Sequence, residues 1–191
     1  LAEKVADMNK QSLEQSDFST FIPLFVYSPL VLAQHMTLVC FDFFKRIQPK
    51  ELMGKTKSQN YRKTSPNIVH IIGYSNLVSQ WVATEIINQK KLEQRMILLA
   101  RFVDVAKHLC ILNNFMSLQD VMAGLTSNAV FRLKQTWELF AQKYPERKKL
   151  FDEYRTLVRQ DKSFAAMRGA VRRAPLPCIP PLNIYLSDFQ F

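Results

Sequence analysis

Apolar positions recur at intervals of three and four through the middle of this 191-residue chain. Ile68, Ile71, Ile72, Val78, Val82 and Ile86 fall on one face of a helix of about twenty residues that begins near Asn67. Leu92, Met96, Leu99, Phe102, Val103, Ala106 and Leu109 repeat the pattern. The short polar stretch 88–91 between them predicts an antiparallel hairpin of two long helices.

The flanking segments carry weaker signals. Ser28 before Pro29 reads as an N-cap with proline in the first turn, where its missing N–H costs nothing. A helix from there to about Met36 is expected, a second over 41–47, and a short third between Pro49 and Gly54. The polar run at 55–65 reads as a surface loop. Further on, Ser117 with Asp120 resembles a capping box for a helix through Leu125. Ser127 or Asn128 caps the next helix, which lines up Val130, Leu133, Trp137 and Phe140. Pro145 opens another, with Leu150, Tyr154, Leu157 and Val158 inward. Trp81 and Trp137 are read as core. The proline-rich stretch 175–189 is expected to run extended over the helical body. Residues 1–20 are polar and weakly periodic, and 1–27 read as a lead-in or linker, which leaves 28–191 as one all-α domain.

Composition agrees with helices: four glycines supply few tight turns, and 48% hydrophobic content suffices for one core. The balance of 26 basic to 16 acidic residues gives a net charge of +10, which suits nucleic acid, an anionic membrane face or an acidic protein partner. The cations are scattered, at Lys45 and Arg46, 55–63, 147–149 and Arg168, Arg172 and Arg173, without interleaved aromatics, so nucleic acid is not expected. No apolar run reaches the length of a membrane span, and the first residues lack the apolar middle of a signal peptide, so a soluble, cytoplasmic protein is expected. Cys40, Cys110 and Cys178 are odd in number and far apart, as where thiols stay reduced, and His35, His70 and His108 stand alone, so no metal or other cofactor is predicted. There is no phosphate-binding glycine loop, no nucleophile elbow and no Ser/His/Asp set, hence no support for bond-making catalysis.

One block is far more specific than these short signals. Residues 109–140 contain Asn113-Asn114-Phe115, a short apolar helix, Gly124-Leu125, and Arg132-Leu133 followed by Thr136-Trp137-Glu138. In this order and spacing they resemble the core of the Ras-type guanine nucleotide exchange factor catalytic domain (RasGEF). The likeness extends from near Ser28 to Phe191, through the Pro-Asn, Trp-Val and Thr-Glu-Ile elements at 66–86 and the Pro-Cys-Ile-Pro and Tyr-Leu-x-Asp elements at 177–188.

The resemblance implies an exchange factor for a Ras-superfamily GTPase of the Ras, Rap or Ral type, working without a cofactor and near an anionic membrane. Such a factor binds the nucleotide-free GTPase better than the loaded one, through an apolar groove for switch II and a helical wedge that displaces switch I. Carried over, the groove is formed by Ile72, Gln119, Thr126, Phe131, Phe164 and Pro181, with Asn113, Asn114 and Phe115 fixing the start of the groove helix. Gln119 stands where many members have Leu or Met, Thr126 where Asn is frequent, Pro181 where an aromatic is common, and Gly73 where a long polar side chain is frequent. These departures allow a shifted specificity or a groove kept only for scaffolding. A non-catalytic scaffold and a basic helical nucleic-acid binder are the alternative classes. The wedge follows Tyr-Leu-x-Asp in the family, and Tyr185, Leu186 and Asp188 lie just before Phe191. The expectation is a C-terminally incomplete domain that binds but does not exchange.

Overall fold

The computed structural model describes residues 26–52 and 61–189, and among them the chain forms eleven helices with one isolated bridge, Asn114 to Ile179. Most of the expected lead-in, and residues 53–60 of the expected loop, lie outside the described residues. Helix α1 (Pro29–Phe44) starts as its sequence predicts, with the Ser28 side chain accepting from the Val31 N–H at 3.2 Å. It is one helix, where a break after about Met36 was expected. Ala33, Met36 and Cys40 form a continuous buried stripe, and the Thr37 hydroxyl bonds back to the Ala33 carbonyl, so the helix tolerates its β-branched residue.

Two short helices follow, α2 (Pro49–Leu52) and α3 (Tyr61–Thr64), so the end of the expected loop is a helical turn with Tyr61 buried. They serve the long helix α4 (Pro66–Ile87), whose own N-cap, Ser65, makes no side-chain cap. Glu51 supplies it instead. Its carboxylate accepts from the Asn67 N–H at 2.9 Å, the Ile68 N–H at 3.3 Å and the Asn67 side-chain amide at 2.6 Å, while Ser65 bonds the Glu51 carbonyl. Burial pushes this carboxyl up, yet the Asn67 side chain and the backbone donors of Ile68, Gln48 and Asn67 outweigh it and hold Glu51 below the ordinary glutamate range. The stability it confers is present above the ordinary glutamate pKa and is lost as pH falls through the depressed one. Glu51→Gln should therefore cost about 1–2 kcal/mol at pH 7 and much less at pH 3, read as urea midpoints across that range. An equal cost at both pH values would show that the charge is irrelevant.

Helix α5 (Leu92–Ile111) completes the predicted hairpin and is the centre of the domain, with nine residues from Met96 to Leu109 buried. It packs against α1 and α4, and against α6 (Phe115–Leu125), α8 (Lys134–Lys143) and α9 (Pro145–Leu157). Arg147 on α9 grips Asp104 on α5 through two guanidinium nitrogens at 3.0 Å. Trp81 stacks edge-on against Phe102, and Trp137 lies between Phe140 and Phe151 with its indole N–H donating to the Val130 carbonyl. Both tryptophans are half-buried at the rim of the core rather than enclosed by it.

Three further elements differ from expectation. The single helix predicted after Ser127 is α7 (Asn128–Phe131), a break at Arg132 and Leu133, and then α8. Helix α10 (Asp161–Arg173) has no counterpart in the periodicity; it opens on a left-handed turn, with positive φ at Lys162, Ser163 and Phe164, and buries only Met167. The C-terminal stretch is extended only up to Pro181. All its prolines precede Leu182, so nothing prevents helix α11 (Leu182–Asp188), which buries Leu182, Ile184 and Leu186. Arg168 of α10 holds it by a fork on Asp188 at 2.6 and 2.7 Å.

Candidate functional site

The surface singled out by the sequence is built on α4 and α6. Met116 shares a cluster with Ile68 and Ile71, the Asp120 carbonyl accepts from the Ser79 hydroxyl at 3.0 Å, and Gly124 lies against Ser79 and Val82. The two helices therefore run side by side in the same direction. A glycine is required at 124: a Cβ there would stand 2.6 Å from the Val82 Cβ and 2.7 Å from the Ser79 carbonyl oxygen. Helix α7 packs on both.

The Asn113-Asn114-Phe115 element fixes where α6 begins, and the helix starts there rather than at the Ser117 capping box. Asn114 is the N-cap: its carbonyl oxygen accepts from the Ser117 N–H at 3.0 Å, and its amide donates to Thr37 on α1 and to the Ser117 hydroxyl. Asn113 adopts a positive φ of 54° and donates its side-chain amide to the Pro175 and Pro177 carbonyls. Its own carbonyl accepts from Ile179, whose carbonyl in turn receives the Phe115 and Met116 N–H groups. Phe115 is buried beneath. The proline-rich segment is thus tied to the first turn of α6, and through Thr37 to α1.

Four of the six predicted groove residues lie on this unit. Ile72 on α4 and Phe131 at the end of α7 are large apolar side chains left 37% and 50% exposed. Gln119 and Thr126, on α6 and at its C-cap, are half-buried, and the Thr126 hydroxyl is spent on the Met122 carbonyl at 2.7 Å. The other two lie elsewhere. Phe164 is half-buried, packed against the main core from the left-handed turn, and Pro181 is buried where it caps α11. The accessible surface is therefore Ile72, Gln119, Thr126 and Phe131, with Leu77 exposed on the same helix as Ile72.

Two residues near this surface stand out only in the fold. Asp120, read as part of a capping box, is buried within α6 with the Ser75 hydroxyl beside it, its Oδ2 without a well-formed hydrogen bond. Burial pushes its carboxyl up to about 7, offset only in part by Ser75. The same polar pocket holds Cys40, pushed up to about 11 by burial, and Tyr74, raised by the same cause. Arg155 on α9 places its guanidinium over the Phe131 ring, 5.2 Å from the centroid. Only its spacing in the fold reveals it.

No group of His, Cys, Asp and Glu among the described residues is arranged to hold a metal ion, and no helix there is long and apolar enough to cross a membrane. A shallow concavity of about 810 Å³ on α8 and α9, around Lys148 and Asp152, contains none of the predicted groove positions. The site is a face suited to a protein.

Comparison with known proteins gives the same picture. The model of one family, described as the RasGEF domain, matches residues 31–191. The chain is 35% identical over 167 residues to Ras guanine nucleotide exchange factor M of Dictyostelium discoideum, covering 86% of this chain and 18% of that protein. It is 32% identical over 193 residues to Ras-specific guanine nucleotide-releasing factor RalGPS1 of Gallus gallus, covering 100% of this chain and 32% of that protein. The Macaca fascicularis RalGPS2 protein is 33% identical over 193 residues, again across 100% of this chain and 34% of its own length. The chain thus spans about a third or less of the length of these relatives.

Proposed function

From the premise that this chain belongs to the RasGEF domain family, we propose that it docks a small GTPase of the Ras, Rap or Ral type and promotes GDP release without bond-making chemistry. The carrying observation is that Ile72 on α4 and Phe131 at the end of α7 are held exposed, with α7 packed on both α4 and α6 and the close approach of α4 and α6 fixed by Gly124. A docked switch segment gains from burying these two side chains, and a rigid α4 and α6 pair sets its position. Exchange then requires that the surface favour the nucleotide-free GTPase, since equal affinity for both states shifts nothing.

The docking unit is residues 28–191. The net charge of +10 favours approach to an acidic GTPase at the cytoplasmic face of an anionic membrane, and it acts chiefly on the association rate. The departures at Gln119 and Thr126 set which GTPase is served. The test is release of a fluorescent nucleotide from Ras, Rap and Ral types by the full-length protein, with complex formation measured alongside. Gln119→Leu and Thr126→Asn should change the ranking of the panel while stability stays within about 1 kcal/mol, as for sites outside the packed core. An unchanged ranking with intact folding would mean that specificity lies elsewhere. Complex formation with no acceleration of release for any GTPase would establish the scaffolding reading instead.

A further inference from the structure

Phe131 does not stand bare at the docking surface. The Arg155 guanidinium sits over its ring, reaching across from α9 to the end of α7. An arginine stacked in this way keeps the N–H donors at its edge available, in the flat fork that matches a carboxylate. Arg155 is exposed and pairs with no carboxylate among the described residues. Its basic neighbours are different. On the same helix Arg147 is spent on Asp104 and Lys148 holds Asp152 at 2.5 Å, and just past its end Arg159 holds Asp161 at 2.9 Å. The one acidic residue a helical turn before Arg155 is thus already neutralised, and the residues beside Phe131, Arg132 and Lys134, add positive charge. The ring and the guanidinium form a composite of apolar face and donor fork, preset by the stack and lacking only an anion.

We infer that Arg155 is a specificity-determining residue of the docking surface, taking a carboxylate of the GTPase that lies beside the apolar side chain seated on Phe131. This rests on the docking reading above. Seating an apolar group on the ring excludes water from the guanidinium, which strengthens a two-point bond to a carboxylate and penalises a partner lacking one. The stack also holds the arginine in place before docking, so little rotamer freedom is lost on binding.

The test uses full-length protein with the most responsive GTPase of the Ras, Rap and Ral panel, reading kcat/KM for nucleotide release and its dependence on salt. Arg155→Ala is expected to lower kcat/KM about tenfold and to flatten the salt dependence, and Arg155→Glu about a hundredfold, with melting unchanged. Arg155→Lys keeps the charge but not the fork and should fall between. Arg155→Met keeps the contact with the ring without charge and should behave like Arg155→Ala; full activity in that variant would show a packing role only and overturn the inference. Phe131→Ala separates the two levels of the account. If it cripples release while Arg155→Ala matches wild type, the inference falls and the docking reading stands. If neither variant changes release, both are wrong about this face.

Discussion

Asp120→Asn is expected to stabilise the domain by about 2–4 kcal/mol at pH 8. The carboxyl is buried on α6, its Oδ2 lacks a well-formed hydrogen bond, and it is held at about 7 against an unfolded value of about 3.9. In the folded state it therefore binds a proton that the unfolded chain has already lost between about pH 4 and 7. Stability falls as pH rises through that window, and the full penalty for an ionised buried carboxylate is present above the folded pKa. Asparagine has the shape of the neutral acid and cannot ionise, so it removes the penalty at pH 8 and gains nothing below pH 4. The groups around the carboxyl are Ser75 and Tyr74 from α4 and Cys40 from α1, and none carries a positive charge that would oppose this. Urea unfolding of both proteins from pH 4 to 8 measures the effect. A variant less stable than wild type at pH 8 would show that Asp120 has an ionic partner after all.

Gly124→Ala should cost about 3 kcal/mol, the upper end of the range for overpacking, because the new methyl meets a backbone oxygen and a β-branched stem rather than the end of a flexible side chain. To relieve the contact, α6 must move away from α4. That displaces Gln119 and Thr126 relative to Ile72, so the variant should lose GTPase docking even at temperatures where it remains folded. Thermal melting with docking measured below the transition tests both parts. Unchanged stability would mean that the two helices are not in the close contact described.

What could be read from the chain depended on how local the determining physics was. The α4 and α5 hairpin was legible because each helix buries one long face, and its periodicity is unbroken. Helix α10 was not, since it buries only Met167 and opens through three residues of positive φ, which no spacing of apolar residues announces. For α11, counting prolines misled: their position ahead of Leu182 mattered, and their number did not. In the site, the motif placed Ile72 and Phe131 on the exposed surface, while Phe164 is half-buried against the core and Pro181 buried, because their neighbours in the fold, rather than in the sequence, decide their burial. Glu51 capping α4 and Arg155 covering Phe131 are contacts across separate helices, and nothing in either local sequence encodes them.

This surface is expected to prefer a GTPase without its nucleotide. The affinity of the full-length protein for nucleotide-free and for GDP-loaded forms of the Ras, Rap and Ral types, measured side by side, tests this. At least one of them is predicted to bind about a hundredfold or more tightly when nucleotide-free, a difference large enough to drive release. Equal affinity for the two forms across the panel, or binding to neither, would contradict it.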